Sequence, residues 1–290
     1  PGAIYMNADG ADLFLVFTDL DGSLLDHHTY SYRDAVPQLH RLEHRGIPVI
    51  PASSKTRAEI EVLRDELGNH HPFIAENGAA VYIPRGYFAT RPPDTVERDA
   101  YWVREWSPSR EHWLDVLASL STRFEGEFEN FFEAGSGGIA RMTGLTAEQA
   151  ELANQREYSE PVKWLGSPEQ RAQFIECLRE AGCEVLQGGR FLSLSGPCDK
   201  GRALCWLREA FAREHPGRTI QDLAAGDSGN DLAMLNAAGT ALLVRSPVHA
   251  FPDVDRRDGV LRSVDYGPAG WAEGVARWLE TRGINNGHNG

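Results

Sequence analysis

LFLVFTDLDGSLLD, residues 13–26, is an apolar run of strand length that stops in two acids with one leucine between them. The run LFLVFTD (13–19) is continuous rather than alternating, the pattern of a strand buried on both faces of a parallel sheet. Asp19 and Asp21 therefore stand at the carboxyl end of that strand, where open α/β sheets carry their ligands. Two like charges so close repel, and burying either is costly unless something compensates. Either they face water as part of an ordinary Asp-Gly turn, or a cation and an anion belong beside them.

Working outward, strand and helix patterns alternate. A helical stripe (Ala35, Val36, Leu39, Leu42) ends at Gly46; IPVIPA (47–52) reads as a strand and TRAEIEVLRDELG (56–68) as an amphipathic helix. PFIAENG (72–78) and VYIP (81–84) are the next expected strands. The rhythm then changes. Residues 84–100 carry Pro84, Gly86, Pro92 and Pro93 and read as a linker. An aromatic, irregular middle follows, with helices expected near 109–123, at 146–155 and at 167–182, a flexible AGSGG (134–138), and strands at CEVLQ and RFLSLS. Alternation returns with a helix at 200–214, a strand at 222–227, a helix at 230–239, a strand at 240–244 and a terminal helix at 271–283. The expected fold is α/β: a doubly wound parallel-sheet core, 1–84 and 189–290, with an inserted α+β cap domain, 85–188.

The 290 residues carry a formal charge of −13, which argues against a general nucleic-acid partner. No apolar stretch is long enough to span a membrane. The opening PGAIYMNADGADLF lacks the pattern of a signal peptide and reads, like the polar tail INNGHNG, as disordered. The four cysteines form no CxxC or zinc spacing and point to reduced thiols in the cytoplasm. The doublets His27-His28 and His70-His71 lack the i, i+4 spacing of helical metal ligands and are expected to be solvated.

Four polar clusters fall at strand ends or helix starts: Asp19-Leu20-Asp21-Gly22, Ser53-Ser54-Lys55, Asp199-Lys200-Gly201, and Gly226-Asp227-Ser228-Gly229-Asn230-Asp231. Each alone has a bland explanation as a turn or a helix cap. Together they gather four acids, Asp19, Asp21, Asp227 and Asp231, whose mutual repulsion calls for a divalent cation. Oxygen-only ligands point to Mg²⁺. Lys200 and Ser53 add a cation and a hydroxyl for an anionic oxygen, which makes the set a phosphoryl-transfer site.

In order and spacing these motifs resemble those of the haloacid dehalogenase superfamily of phosphatases, and the insertion resembles the cap of its Cof-like branch. FTDLDGSLLDHHTYSY (17–32), PASSKTRAEIEVLRDELG (51–68), PFIAENGAAVYIP (72–84), GGRFLSLSGPCDKGRAL (188–204) and GDSGNDLAMLNAAG (226–239) are similar to the mannosyl-3-phosphoglycerate phosphatase family. The resemblance implies a Mg²⁺-dependent phosphatase acting on a small phosphorylated sugar or glycerate. It implies Asp19 as the nucleophile that becomes an aspartyl-phosphate, and Asp21 as the general acid and then base. Lys200 would neutralise the phosphate and orient Asp19. Ser53, or the adjacent Ser54, would bind the phosphoryl group. Asp19, Asp21 (through its carbonyl), Asp227 and Asp231 would surround the metal, Asp231 and Asn230 nearby or through water.

The cap must read the leaving group. Arg156, Glu157, Tyr158, Ser159 and Glu160 are the candidates, weighed against a plain exposed loop; Lys55 is a further candidate for a substrate anion. Glu76-Asn77-Gly78 either shapes the pocket or is a simple turn. Another sugar-phosphate phosphatase, a phosphomutase, or a binding regulator without turnover are the alternatives. The sugar and the oligomeric state stay open.

Overall fold

A computed structural model describes residues 12–284; the expected disorder of the lead-in up to residue 11 and of the tail from residue 285 lies outside the described residues. The chain begins with β1 (Asp12–Thr18), α1 (Val36–His44), β2 (Val49–Pro51), α2 (Arg57–Leu67), β3 (Phe73–Ala75), β4 (Ala80–Pro84), β5 (Val96–Arg98) and β6 (Tyr101–Glu105). It continues with α3 (Arg110–Leu120), β7 (Phe128–Asn130), α4 (Phe131–Thr143), α5 (Ala147–Ala153), β8 (Glu160–Trp164), α6 (Pro168–Glu180), β9 (Glu184–Gln187) and β10 (Leu192–Ser195). It closes with α7 (Lys200–Glu214), β11 (Thr219–Gly226), α8 (Leu232–Ala237), β12 (Thr240–Arg245), β13 (Val260–Tyr266) and α9 (Ala269–Thr281).

The central sheet is parallel, in the order β13-β12-β11-β1-β2. β1 explains itself by its two faces. Leu13, Leu15 and Phe17 pack with Leu204, Leu207 and Phe211 of α7, while Val16 joins Trp271 and Trp278 of α9 on the other face. Both faces are covered, so the apolar run is continuous, and each fully buried large side chain contributes about 1.5–3 kcal/mol. The chain leaves β1 toward β2 on one side and returns through β11 on the other. The crevice at the carboxyl ends of β1 and β11 is thus the sheet's topological switch point. The backbone N–H of Asp19 still donates to the carbonyl of Ala225, at 2.9 Å, so the two strands deliver Asp19 and Asp227 side by side.

The expected linker at 84–100 is part of this half of the molecule instead. β3, β4, β6 and β5 form an antiparallel sheet, tied to the central one by a parallel bridge between Ala52 and Ile74. Phe88, inside the Pro- and Gly-punctuated stretch, is buried with its ring 5.0 Å from that of Phe211. The expected flexible AGSGG lies within α4, which bends at Gly135 and is held by buried Phe131, Ile139 and Met142. β13, which pairs with β12 at the sheet edge, has no counterpart in the sequence reading.

A second four-stranded antiparallel sheet, β7-β8-β10-β9, carries α3 and α6 over Trp113, Phe124, Phe174 and Leu178. β10 pairs with both β8 and β9. A division at 188/189 would cut that sheet, and one at 84/85 would separate β4 from β6, with which it pairs. We propose that the cap instead spans 110–195, from the start of α3 to the end of β10.

Candidate active site

Beyond Asp19 the chain turns sharply. Gly22 has φ +83°, and a Cβ there would stand 2.6 Å from the Asp227 carboxylate. Only glycine allows this close approach, in which Ser23 Oγ also donates to Asp227 Oδ1 at 3.3 Å. Across the crevice Asp199 caps α7 by accepting the N–H of Arg202, and Lys200 follows in the first turn of that helix. Its ammonium is wholly buried and donates to Asp19 Oδ1 at 2.9 Å and to Asp231 Oδ1 at 2.7 Å.

Both oxygens of Asp231 accept hydrogen bonds. Its Oδ2 accepts the backbone N–H groups of Asp227 and Ser228 at 3.0 and 3.2 Å while its Oδ1 holds Lys200. It thereby fixes both the loop that carries Asp227 and the cation that faces Asp19. Asp19, Asp227 and Asp231 converge so that one oxygen of each lies within 4.8 Å of the others, all three buried. Burial, followed by repulsion from Asp231, holds the Asp19 carboxyl well above the usual carboxylate range although Lys200 opposes this. Asp227 is raised by the same two causes. Burial alone would lower the Lys200 ammonium, but Asp19 and Asp231 more than reverse that and keep it protonated. Three buried carboxylates with one ammonium leave an excess of negative charge. An all-oxygen donor set of this kind fits a hard divalent cation.

Asp21 sits apart from this cluster. Its Oδ2 is 3.2 Å from Lys55 Nζ, and its buried Oδ1 has no hydrogen-bond partner among the described residues. Ser53 is buried at the end of β2 and its Oγ accepts the N–H of Lys55 at 3.1 Å. Ser54 is exposed, and its carbonyl accepts from Arg156 at 3.3 Å. A cavity of about 250 Å³ opens beside Asp21 and Lys55, with Tyr30 and Glu59 on one wall and Gln149 and Leu152 of the cap on the other. A second, of about 530 Å³, lies between Asn77, Asp199 and Asn230 and the cap residues Arg179, Ser193 and Ser195.

The cap candidates are brought to the junction with the core rather than left free. Arg156 donates to Ser159 Oγ and to the carbonyls of Ala153 and Ser54. Glu157 pairs with Arg57 at 2.8 Å and with Arg98 at 3.2 Å. The hydroxyl of Ser159 and its backbone N–H both donate to Glu76. Glu160 is buried inside the cap against Arg110 at 3.0 Å, and Tyr158 donates its hydroxyl to Glu105. Sequence reasoning missed one neighbour of the acids: His249, whose Nε2 is 3.6 Å from Asp227 Oδ2; a lone histidine in a loop far along the chain carries no signal. Asn77, of the turn read as shaping the pocket or as a simple turn, accepts from Asn230 through its side-chain oxygen at 3.1 Å.

Of the histidine doublets, His71 is not solvated as expected. It is buried between Tyr87, at 2.8 Å from Nδ1, and Glu43, at 3.2 Å from Nε2. Both ring nitrogens are satisfied by these partners. Glu43, His70 and His71 do cluster closely enough for metal ligands, but nothing in that cluster needs an ion.

Comparison with known proteins places this geometry. Residues 16–92 match the family model of the haloacid dehalogenase-like hydrolases. The glucosyl-3-phosphoglycerate/mannosyl-3-phosphoglycerate phosphatase of Methanococcoides burtonii is 36% identical over 272 residues, covering 94% of this chain and 98% of the relative. Its namesake from Persephonella marina is 34% identical, covering 91% and 97%. Among solved structures, a phosphatase of the haloalkanoate superfamily from Bacteroides thetaiotaomicron superposes with a TM-score of 0.63 at 16% identity, over 98% of this chain and all of that one. A protein of Thermotoga maritima does so with 0.60 at 19%, over 93% and 97%. These two speak to the fold.

Proposed function

As the chain belongs to the haloacid dehalogenase-like hydrolases, in the family of glucosyl-3-phosphoglycerate/mannosyl-3-phosphoglycerate phosphatases, we propose that it hydrolyses a glycosyl-3-phosphoglycerate to the glycosylglycerate and phosphate, mannosyl-3-phosphoglycerate foremost. The observation that carries the chemistry is Lys200, wholly buried and bridging Asp19 and Asp231 at the sheet's switch point.

Asp19 is the nucleophile. One of its oxygens attacks phosphorus, the ester bond to the glycerate oxygen breaks, and an aspartyl-phosphate forms. Lys200 holds Oδ1 of Asp19, which leaves Oδ2 to attack, and its charge offsets that of the incoming phosphoryl group. Asp21 supplies the proton to the leaving glycerate oxygen through its unpartnered Oδ1, then takes a proton from the water that attacks phosphorus and restores Asp19. Ser53, the buried one of the serine pair, is assigned to the phosphoryl oxygens. Lys55, at the mouth of the cavity beside Asp21, is assigned to the glycerate carboxylate. Asp19, Asp227 and the backbone carbonyl of Asp21 would hold Mg²⁺, which supplies further positive charge against the phosphoryl oxygens. Asp231, whose two oxygens already hold Lys200 and the Asp227 loop, would complete the acidic set around the ion, nearby or through water. Arg156, Glu157 and Ser159 are assigned to joining cap and core.

The four cysteines are unbridged, in keeping with a reducing compartment, and we place the enzyme in the cytoplasm. Phosphate release across a panel tests the reading. Mannosyl- and glucosyl-3-phosphoglycerate should turn over at least about tenfold more efficiently than hexose phosphates, and EDTA should abolish both. Equal or better turnover of hexose phosphates would assign a different sugar phosphatase; binding without release would assign a regulator.

A further inference from the structure

The turn between β3 and β4 is built in a manner that a hairpin does not require. Glu76, Asn77 and Gly78 take φ of +50°, +64° and +91° in succession, two of them without the freedom of glycine. A Cβ on Gly78 would stand 2.2 Å from the Asp199 carbonyl, so the turn is pressed against the segment that presents Lys200. Left-handed conformations at non-glycine residues persist where the surroundings hold them, and they gather at functional sites.

What holds them reaches in three directions. Toward the phosphate site, the N–H of Glu76 donates to the Lys55 carbonyl and that of Asn77 to the Ser53 carbonyl, each at 2.9 Å. Toward the metal loop, Asn77 accepts from Asn230, whose own side-chain oxygen accepts from Ser228. Toward the cap, the Glu76 side chain is 1% exposed and takes four hydrogen bonds. They come from the backbone N–H groups of Glu157 (3.0 Å), Tyr158 (3.2 Å) and Ser159 (3.0 Å) and from Ser159 Oγ (2.6 Å). That cap segment lies at the root of the insertion. The Tyr158 carbonyl accepts from Ser107 Oγ, and the same Oγ accepts the N–H of Gly196, which ties the outgoing and returning connections together.

We propose that Glu76 is a positioning residue for the hydrolysis: it registers the root of the cap to the Ser53–Lys55 loop, so that the cap closes over the leaving group in one orientation. This rests on the phosphatase reading above. The carboxylate touches none of the reacting atoms; it acts through the backbone of 157–159. A side chain that only filled space there would not need to meet three consecutive amides.

Two variants and two readouts test it. Glu76→Gln keeps shape and one acceptor, and Glu76→Ala removes both. In amide hydrogen exchange without substrate, the amides of residues 157–159 should exchange about ten- to a hundredfold faster in either variant, as loss of a hydrogen bond to a charged acceptor implies. Amides of the central strands should not change. In kinetics, kcat/KM for mannosyl-3-phosphoglycerate should fall about tenfold or more, while p-nitrophenyl phosphate, with a leaving group the cap does not read, should lose much less. Equal losses on both esters, or unchanged exchange at 157–159 in Glu76→Gln, would overturn the proposal and leave Glu76 a structural residue. If the wild type does not turn over the glycosyl ester, the substrate reading fails, yet the exchange experiment still decides the anchoring.

Discussion

Lys200→Met removes the one cation that, among the described residues, pairs with both Asp19 and Asp231, while keeping the length of the side chain. The ammonium is wholly buried and lies 2.9 and 2.7 Å from the two carboxylates. Taking one partner from a buried ion pair costs about 3–5 kcal/mol because a buried charge is left uncompensated. Here two carboxylates lose the same partner, with Asp227 close by, so about 4 kcal/mol is expected in EDTA at pH 8. For a chain of this size that lowers the melting temperature by about 8–16 °C. The pH dependence gives the reasoning its sign. The Asp19 carboxyl is already raised in the folded state, and Lys200 is what opposes the rise. Without Lys200 it climbs further above the unfolded value of about 3.9. A carboxyl raised in the folded state destabilises that state at pH above its unfolded value, and the deficit disappears as pH falls and it takes up a proton. Urea or thermal unfolding of wild type and variant in EDTA at pH 8 and pH 5.5 should therefore show a gap that narrows at the lower pH. A gap below about 1 kcal/mol, or one that does not narrow, would refute the electrostatic reading of the site.

Two further outcomes are expected from the same structure. Asp19 and Asp227 are both raised by burial, so a bound metal must displace protons: Mg²⁺ affinity should rise with pH, and calorimetry in buffers of different ionisation heat should detect proton release on binding. Burial pushes the Cys183 thiol up to about 12 and that of Cys198 to about 11, so iodoacetamide at pH 7.5 should spare both in the native protein and modify both in urea, as mapped by mass spectrometry.

The parts legible in the sequence are those with a local physical signature. The continuous apolar run of β1 announces a strand covered on both faces, and the packing of α9 on one face and α7 on the other answers it residue by residue. Asp19, Asp227 and Asp231 were legible as candidates because a parallel sheet sends every strand's carboxyl end to one edge, whereas Lys200 opens α7 after a strand of the antiparallel cap sheet and was legible only as a lysine at a helix start. The antiparallel β5 was hidden by prolines and glycines that mark turns, yet here those turns lead into a short strand, and its partner β6 lay in the aromatic stretch read as irregular. The glycines of α4 suggested flexibility, where packing of Ile139 and Met142 decides for helix. Glu76 was visible only as part of a turn that either shapes the pocket or is a simple one; its link to the cap was not, because its partners are mainly backbone amides some eighty positions away, and any sequence offers those. The same holds for Asp231: its residue type signals a ligand, but only the fold shows both oxygens already engaged.

The proposed chemistry stands or falls on whether Asp19 attacks phosphorus. Acid quenching of the wild type during turnover of mannosyl-3-phosphoglycerate with Mg²⁺, followed by peptide mass spectrometry, tests this most directly. A phosphoryl group should appear on the peptide containing Asp19 and be absent in EDTA and in Asp19→Asn, which should release no phosphate. A phosphoryl group on a different residue, or full turnover by Asp19→Asn, would contradict it.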